Sequence, residues 1–322
     1  MTEPAGLRYL SRQNMEQLAL TAVEIVTAIE NLCFGRERGD VRNAPKSFIK
    51  PDNVRFFMST LAVSDDPPFM AVKSLGMNET NLARGAESIG SLITLFDGLS
   101  GHPLAVMDGD WITAQRTAGL SALAAKHMAR DDSKVLAFVG CGVQARSHLD
   151  IFAEIYPIAE IRALGRGAAN RDALCRRAAK RGLTATAATS GQDAIEGADI
   201  VISSVPGSPE TETFLDADWL KPGAFVSMVD LARSWHAESL GILDGVFIDD
   251  TAQETSMPRP MVAPALVRGD LQDLVSGRLP GRRNDQERGA FVFRGLAIGD
   301  LALAIAAYDR AVNASIGQIL ER

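Results

Sequence analysis

Cysteine is scarce: Cys33, Cys141 and Cys175 are the three in 322 residues, too few and too scattered for a disulfide framework, and none stands in a C-x-x-C. The four histidines form no H-E-x-x-H, which argues against structural or hydrolytic zinc. No run of 18 apolar residues occurs, so no transmembrane helix is expected. Basic charge is in deficit, with 33 Lys+Arg against 40 Asp+Glu and a net charge of −7, and no basic block is interleaved with aromatics; a nucleic-acid backbone is therefore not an expected partner. The opening MTEPAGLRYLSRQNMEQL has an early acid and lacks an apolar leader core, so the cytoplasm is the expected compartment. What is present is the composition of a globular chain, 46% hydrophobic and 23% charged, with length for about two domains of ordinary size.

The first part of the chain reads as α+β. A strand-like LRYLS leads into NMEQLALTAVEIVTAIENLCFG, whose apolar residues are spaced for one amphipathic helix closed by Gly35. Short strand candidates follow (KSFIK, VRFFMSTLAVS, FMAVKSL, SLITLFD, LAVMDGD), broken by Pro, Asp and Gly in the manner of an antiparallel sheet. The cadence changes at the alanine-rich ITAQRTAGLSALAAKHMAR. From KVLAFVG onward, apolar strands (AEIRALG, TATAATS, ADIVISSVP, AFVSMVD, GVFIDD) alternate with helical segments, as in a doubly wound α/β domain. GLAIGDLALAIAAYDRAVNASIGQIL closes the chain as a long helix.

One motif carries most of the chemistry. In KVLAFVGCGVQARSHL, Gly140, Gly142 and Ala145 make G-x-G-x-x-A between a strand and a helix. Gly140 permits the tight turn, Gly142 lets the backbone approach a pyrophosphate, and Ala145 lets helix and strand pack closely. The helix start at Val143 and Gln144 offers free N–H groups and partial positive charge. At the end of the next strand, where an NAD site places an acid for the adenosine ribose, Gly165 and Arg166 stand instead, which leaves room and a guanidinium for a 2′-phosphate; NADP is expected over NAD. Ser204, Val205 and Pro206 end a later strand where a nicotinamide ribose can rest.

DGDWITAQRTAGLSALAAKHMAR followed by VLAFVGCGVQARSHL resembles the ornithine cyclodeaminase/mu-crystallin family, with its R-T-A-[AG]-x-S-A helix feeding a G-C-G-x-Q-A turn. The likeness extends to YLSRQNMEQL, AVKSLGMNETN, PLAVMDG, GRLPGRRNDQE and RGLAIGDLALA. It implies an α/β protein in which a Rossmann-type dinucleotide domain (116–294) is inserted into an α+β substrate and dimerisation domain (1–115, completed by 295–322), working as a homodimer. It also implies hydride chemistry at the α-carbon of a small amino or imino acid. Lys73 and Arg116 match the family's substrate-carboxylate ligands, and a planar guanidinium would fix which face of the α-carbon is presented. Arg116 is read as opening its helix, flanked by Thr113 and Thr117 as cap or phosphate contact.

Three departures shape the expectation. Lys46, in NAPKSFI, stands where the family usually has a second carboxylate-binding arginine. Asp230, in AFVSMVDLARSW, is the candidate for the family's proton-transferring acid, though displaced, with a turn-forming or ion-paired role beside Arg233 as the alternative. Phe293 and Arg294 replace the family's frequent serine before the last helix. The reading is an imine reductase or amino-acid dehydrogenase. An NAD-dependent cyclodeaminase releasing ammonia and a crystallin-like binding protein are the alternatives.

Overall fold

The computed structural model describes residues 6–206 and 212–321; Met1–Ala5, part of the opening stretch from which a cytoplasmic setting is expected, lie outside the described residues. The chain forms two units, one running to Arg116 and resuming at Ala297, the other from Thr117 to Leu296.

The first unit opens with β1 (Leu7–Leu10), α1 (Arg12–Gln17) and α2 (Ala22–Arg38). The one helix expected here is two, because each start has its own capping box. Ser11 and Asn14 exchange side-chain and backbone hydrogen bonds at α1, and Thr21 and Glu24 do so at α2, with left-handed Ala19 (φ 47°) between them. Nor does Gly35 close α2. It lies inside the helix, where a Cβ would come within 2.6 Å of Val41, and Gly39, at φ +89°, makes the terminal turn.

Then come β2 (Val41–Asn43), β3 (Ser47–Ile49), β4 (Arg55–Asp65), β5 (Pro68–Asn78), β6 (Ile89–Asp97) and β7 (Pro103–Asp108). The four strands from β4 to β7 are antiparallel neighbours, and period-two alternation gives the sheet two faces. Thr60, Lys73 and Ile93 share one register row and point to the buried face, whereas Phe57 and Leu61, 54% and 49% exposed, point to the other. α3 (Gly109–Met128) comes next. It starts seven residues before Arg116, so Arg116 is interior to the helix and neither flanking threonine caps it, contrary to the expectation that this arginine opens the helix.

The second unit is a parallel α/β sheet. Its elements are β8 (Val135–Val139), α4 (Val143–Ile155), β9 (Glu160–Leu164), α5 (Ala168–Ala179), β10 (Thr184–Ala187), α6 (Gly191–Ile195), β11 (Ile200–Ser203), β12 (Phe225–Met228), β13 (Gly245–Ile248), α7 (Thr251–Thr255), β14 (Val267–Asp270), α8 (Leu271–Val275) and β15 (Gly289–Val292). The strand order is β10-β9-β8-β11-β12-β15-β13-β14, all neighbours parallel. Continuous apolar runs such as Val135–Val139 fit strands covered on both faces, and Ala137, Val139, Val201, Val226, Val246 and Val292 share one buried core. The chain runs outward from β8 to β10 and then returns to β11 on the other side of β8. The carboxyl ends of β8 and β11 therefore flank the point where strand order reverses.

The first unit is completed by α9 (Ala297–Asn313) and β16 (Gln318–Leu320). The closing helix is shorter than its apolar pattern suggests. Ser315 (φ 54°) and Gly317 (φ +96°) turn the chain after Asn313, and β16 pairs antiparallel with β1. The completed sheet runs β16-β1-β7-β6-β5-β4-β2, with β3 on β4; β1 and β7 are parallel where the sequence suggested only antiparallel pairing. α9 packs on α2 and across β4, β5 and β6.

Candidate functional site

In the first unit, β5 carries Lys73 onto the face covered by α9, where it is 2% exposed. Its ammonium donates to Asp300 Oδ1 at 2.9 Å and to Thr113 Oγ1 at 3.4 Å. Arg116 Nε lies 3.0 Å from the same Asp300 oxygen in ionic contact, and the Thr60 hydroxyl donates to Asp300 Oδ2 at 3.3 Å. One carboxylate oxygen thus serves two buried cations. The Arg116 contact is not aligned as a hydrogen bond: its Nε and Nη1 are buried and have no hydrogen-bond partner among the described residues. A guanidinium in that condition is costly unless an acceptor arrives.

The electrostatics follow from the charges present. Burial brings the Lys73 ammonium down to about 8, opposed by the Asp300 carboxylate and aided by the Arg116 charge. Burial works to raise Asp300, but the charges of Lys73 and Arg116 outweigh it and hold the carboxyl below its ordinary range. Half-buried Lys46, just before β3, adds positive charge that also acts on Asp300. With Lys73 protonated, the trio of Lys73, Arg116 and Asp300 carries one net positive charge. Asp300 escaped the sequence reading. The signal that marks it is a lone carboxylate within the apolar GLAIGDLALAIAA.

In the second unit, a cavity of about 570 Å³ opens between the carboxyl ends of β8, β9 and β11. Of the expected cofactor residues, Gly140, Gly142, Gly165, Arg166, Ser204, Val205 and Pro206 line it. Thr117, Val143, Gln144 and Ala145 do not. Thr117 is buried within α3 and Ala145 on the inward face of α4, while Val143 and Gln144 open the first turn of α4. Asn170 and Phe214 also line it and were not foreseen, lying outside the glycine turn and the strand ends read from the sequence.

Whether this cavity suits a dinucleotide is decided by its two turn glycines. Gly140 is at φ +96°, and a Cβ there would come within 2.6 Å of the Ser204 carbonyl, so the turn itself requires glycine. A Cβ on Gly142 would meet nothing within 4 Å. Gly142 precedes α4 without a side-chain cap, leaving the first N–H groups of that helix directed outward. The open approach and uncapped helix start fit a pyrophosphate. Ser204 Oγ is buried without a hydrogen-bond partner among the described residues, a further polar atom left for a ligand. Among the described residues no carboxylate lines the wall after β9; exposed Arg166 and Asn170 do.

Asp230 stands just beyond β12 and is buried. Its Oδ1 accepts from Ser203 Oγ at 3.0 Å, its Oδ2 from Ser234 Oγ at 2.6 Å, and the Val205 N–H also donates to it. Trp235 Nε1 donates to the same Ser203 hydroxyl at 3.0 Å. Burial raises the carboxyl, partly countered by these donors. Both oxygens are engaged by the β11 end and the turn after β12, so the surroundings favour a holding role for Asp230 over the proton transfer expected from sequence. His148 is also committed to structure: its Nδ1 meets the Gln144 carbonyl at 2.7 Å and its Nε2 the Ser121 hydroxyl at 2.8 Å, in full burial.

The model of the ornithine cyclodeaminase/mu-crystallin family matches residues 8–315. The chain belongs to this family. Among its relatives is the ketimine reductase mu-crystallin of Rattus norvegicus, 28% identical over 303 residues, covering 92% of this chain and 94% of that protein. The nodulation efficiency protein NfeD of Rhizobium meliloti is 26% identical over 322 residues, covering 98% and 99%. Among solved structures, the Δ1-pyrroline-2-carboxylate reductase of Thermococcus litoralis, in complex with NADH and L-proline, superposes with a TM-score of 0.89 at 26% identity, covering 98% of this chain and all of that one. That superposition takes in both the parallel sheet and the sheet that carries Lys73. No helix among the described residues is long and apolar enough to cross a membrane.

Proposed function

We propose that this protein is an NAD(P)H-dependent oxidoreductase acting at the α-carbon of a small imino or amino acid, as an imine reductase or amino-acid dehydrogenase. The observation that carries the reading is the Arg116 guanidinium, buried with Nε and Nη1 lacking a hydrogen-bond partner, beside the Lys73 ammonium. Together they hold the substrate carboxylate, the guanidinium setting its plane and the ammonium adding a point charge. Lys46 adds positive field. Lys73, brought down to about 8, is suited to giving a proton at the substrate nitrogen near neutral pH. The chemistry a bound nicotinamide supplies is two-electron exchange as hydride.

Gly140, Gly142 and the start of α4 at Val143 and Gln144 hold the pyrophosphate, with Ala145 allowing the helix to lie close. Gly165 and Arg166 take a 2′-phosphate, so NADP is preferred over NAD, and Ser204, Val205 and Pro206 form the wall for the nicotinamide ribose. Asp230 steadies that wall through Ser203 and Val205. Thr117, within α3, supports the cradle from its buried position without lining it.

The exposed apolar side chains Phe57 and Leu61 of β4, Phe48 and Ile49 of β3 and Leu92 of β6 support a homodimer formed through the first sheet. The three cysteines, none of them in a disulfide, suit a reducing, cytoplasmic setting.

The deciding assay monitors nicotinamide absorbance with NADPH or NADH against 2-oxo acids plus ammonia or methylamine, and against cyclic imino acids. Oxidation, faster with NADPH, is the expected result. Ammonia released from basic amino acids with no net change in NAD would instead make the protein a cyclodeaminase. Binding of L-proline with silence in both assays would make it a ligand-binding protein.

A further inference from the structure

Asp300 is buried on α9 among Ile298, Leu301, Leu303 and Ala304, where an apolar residue would satisfy packing. Its carboxylate accepts from Lys73 at 2.9 Å, meets Arg116 Nε at 3.0 Å and accepts from Thr60 at 3.3 Å, so every side-chain contact described for it runs to the candidate carboxylate site. The groups facing this cluster are Thr60 from β4, Lys73 from β5, and Thr113 and Arg116 from α3, with Asp110 and Lys46 adding charge from further away.

We propose that Asp300 is a positioning residue that ties Lys73 and Arg116 into one grip with a single net positive charge, matched to a substrate bearing one carboxylate at this point. This rests on the reading of Lys73 and Arg116 as the substrate's anchors. Two cations within about 3 Å of one buried point repel strongly when no anion lies between them. Without Asp300 the ammonium would give up its proton and the two side chains would separate. With Asp300 in place, Lys73 stays charged and is held toward Arg116, whose Nη1 keeps a free N–H. Thr60 holds the far oxygen and so limits rotation of the carboxylate.

The test uses the full-length, NADPH-loaded protein carrying lysine labelled with 13C at Cε, the Lys73 signal being assigned by its loss in Lys73→Met. The signal is titrated in the wild type, Asp300→Asn, Asp300→Glu and Thr60→Val, and the pH profile of kcat/KM is recorded alongside. In the wild type the midpoint is expected at about 8. Asp300→Asn is expected to weaken proton affinity by about tenfold or more, with the alkaline limb of the rate profile moving to lower pH in step. Asp300→Glu should restore part of the shift. Thr60→Val should move both readouts the same way by less, and it serves as the measurement if Asp300→Asn does not fold. An unchanged Lys73 midpoint in every folded variant would overturn the proposal. A midpoint that moves while the rate profile stays fixed would support the hold of Asp300 on Lys73 and overturn the use of Lys73 in the reaction.

Discussion

Lys73 on β5 and Asp300 on α9 are 227 positions apart in the chain and 2.9 Å apart in the fold. The strand and the helix are joined into one unit only when the last segment of the chain has packed across β4, β5 and β6. The candidate carboxylate site is therefore complete only after α9 docks. The apolar surface of that helix supplies the driving force, and its buried carboxylate, Asp300, supplies the charge match.

Truncating either cation should separate substrate binding from cofactor binding. Arg116→Ala and Lys73→Met are expected to weaken binding of a small amino or imino acid roughly 100-fold, within the range for removing one partner of a buried charge pair. NADPH affinity should change little, because neither residue lines the cavity around Gly140. Isothermal titration with each ligand in turn checks this. Arg116→Lys should recover only part of the loss, since an ammonium cannot fork a carboxylate.

Lys73 also sets a pH signature with a definite sign. Its folded value of about 8 lies below the 10.5 of a free lysine, so between these values the unfolded chain binds a proton that the folded chain does not. Stability from this group therefore rises with pH across that window, whereas a rate that needs the charged ammonium falls as pH passes about 8. Asp300 acts at the other end. Its carboxyl is held below the ordinary range, so its contribution is present above that range and is lost as pH falls through the lowered folded value. Urea unfolding from pH 7 to 10 should show the alkaline rise in the wild type and lose it in Lys73→Met.

The dinucleotide cavity and the carboxylate cluster differ in how far the sequence discloses them. The dinucleotide cradle is local: Gly140, Gly142 and the start of α4 are contiguous, so strand, turn and helix can be read off one stretch. Its outer wall is assembled by topology, which is why Asn170 and Phe214 lie beyond a motif search. The carboxylate cluster depends on register and on the return of the chain. Period-two alternation says that Lys73 shares a face with Ala71 and Leu75, but not that α9 covers that face with a carboxylate. Helix boundaries misled where capping competes with apolar spacing, as at Thr21, and where left-handed residues end a pattern early, as at Ser315.

The paired glycines separate folding from cofactor binding. Gly140→Ala would place a methyl group 2.6 Å from the Ser204 carbonyl on a backbone already at φ +96°, so loss of stability by about 1–3 kcal/mol is expected. A Cβ at Gly142 meets nothing within 4 Å, so Gly142→Ala should leave the melting temperature nearly unchanged while NADPH affinity falls, because the added methyl group stands in the approach to the uncapped helix start. Thermal unfolding with and without NADPH distinguishes the two variants.

Asp230 links Ser203, Ser234 and the Val205 N–H. Asp230→Ala leaves those donors buried and unpaired and should loosen the Ser204–Pro206 wall, reducing both stability and NADPH affinity. Asp230→Asn keeps one acceptor oxygen. If Asp230 holds the wall, Asp230→Asn should retain most activity; if it moves a proton, turnover should fall by about 100-fold or more with NADPH binding intact. Stopped-flow turnover beside NADPH fluorescence titration reads both.

Cofactor choice rests on the residues just beyond β9. An acid there would accept hydrogen bonds from the ribose hydroxyls and repel a 2′-phosphate, whereas the cavity wall of this chain offers Gly165, Arg166 and Asn170. A Cβ at Gly165 would lie 3.1 Å from the Cys141 sulfur, so an acid added there would crowd Cys141, whose thiol donates to the Leu164 carbonyl at 3.3 Å, and would require it to shift by a few tenths of an ångström. Arg166 is the accessible lever. Arg166→Ala is expected to weaken NADPH binding by about 10- to 100-fold, the scale of one or two charge-assisted hydrogen bonds, and to leave NADH nearly unaffected. Added salt should narrow the NADPH advantage in the wild type, since Arg166 is exposed, and have no such effect in the variant. Equal losses for both cofactors would instead place Arg166 at the adenine or the pyrophosphate and leave Asn170 as the residue of this wall to test for the preference.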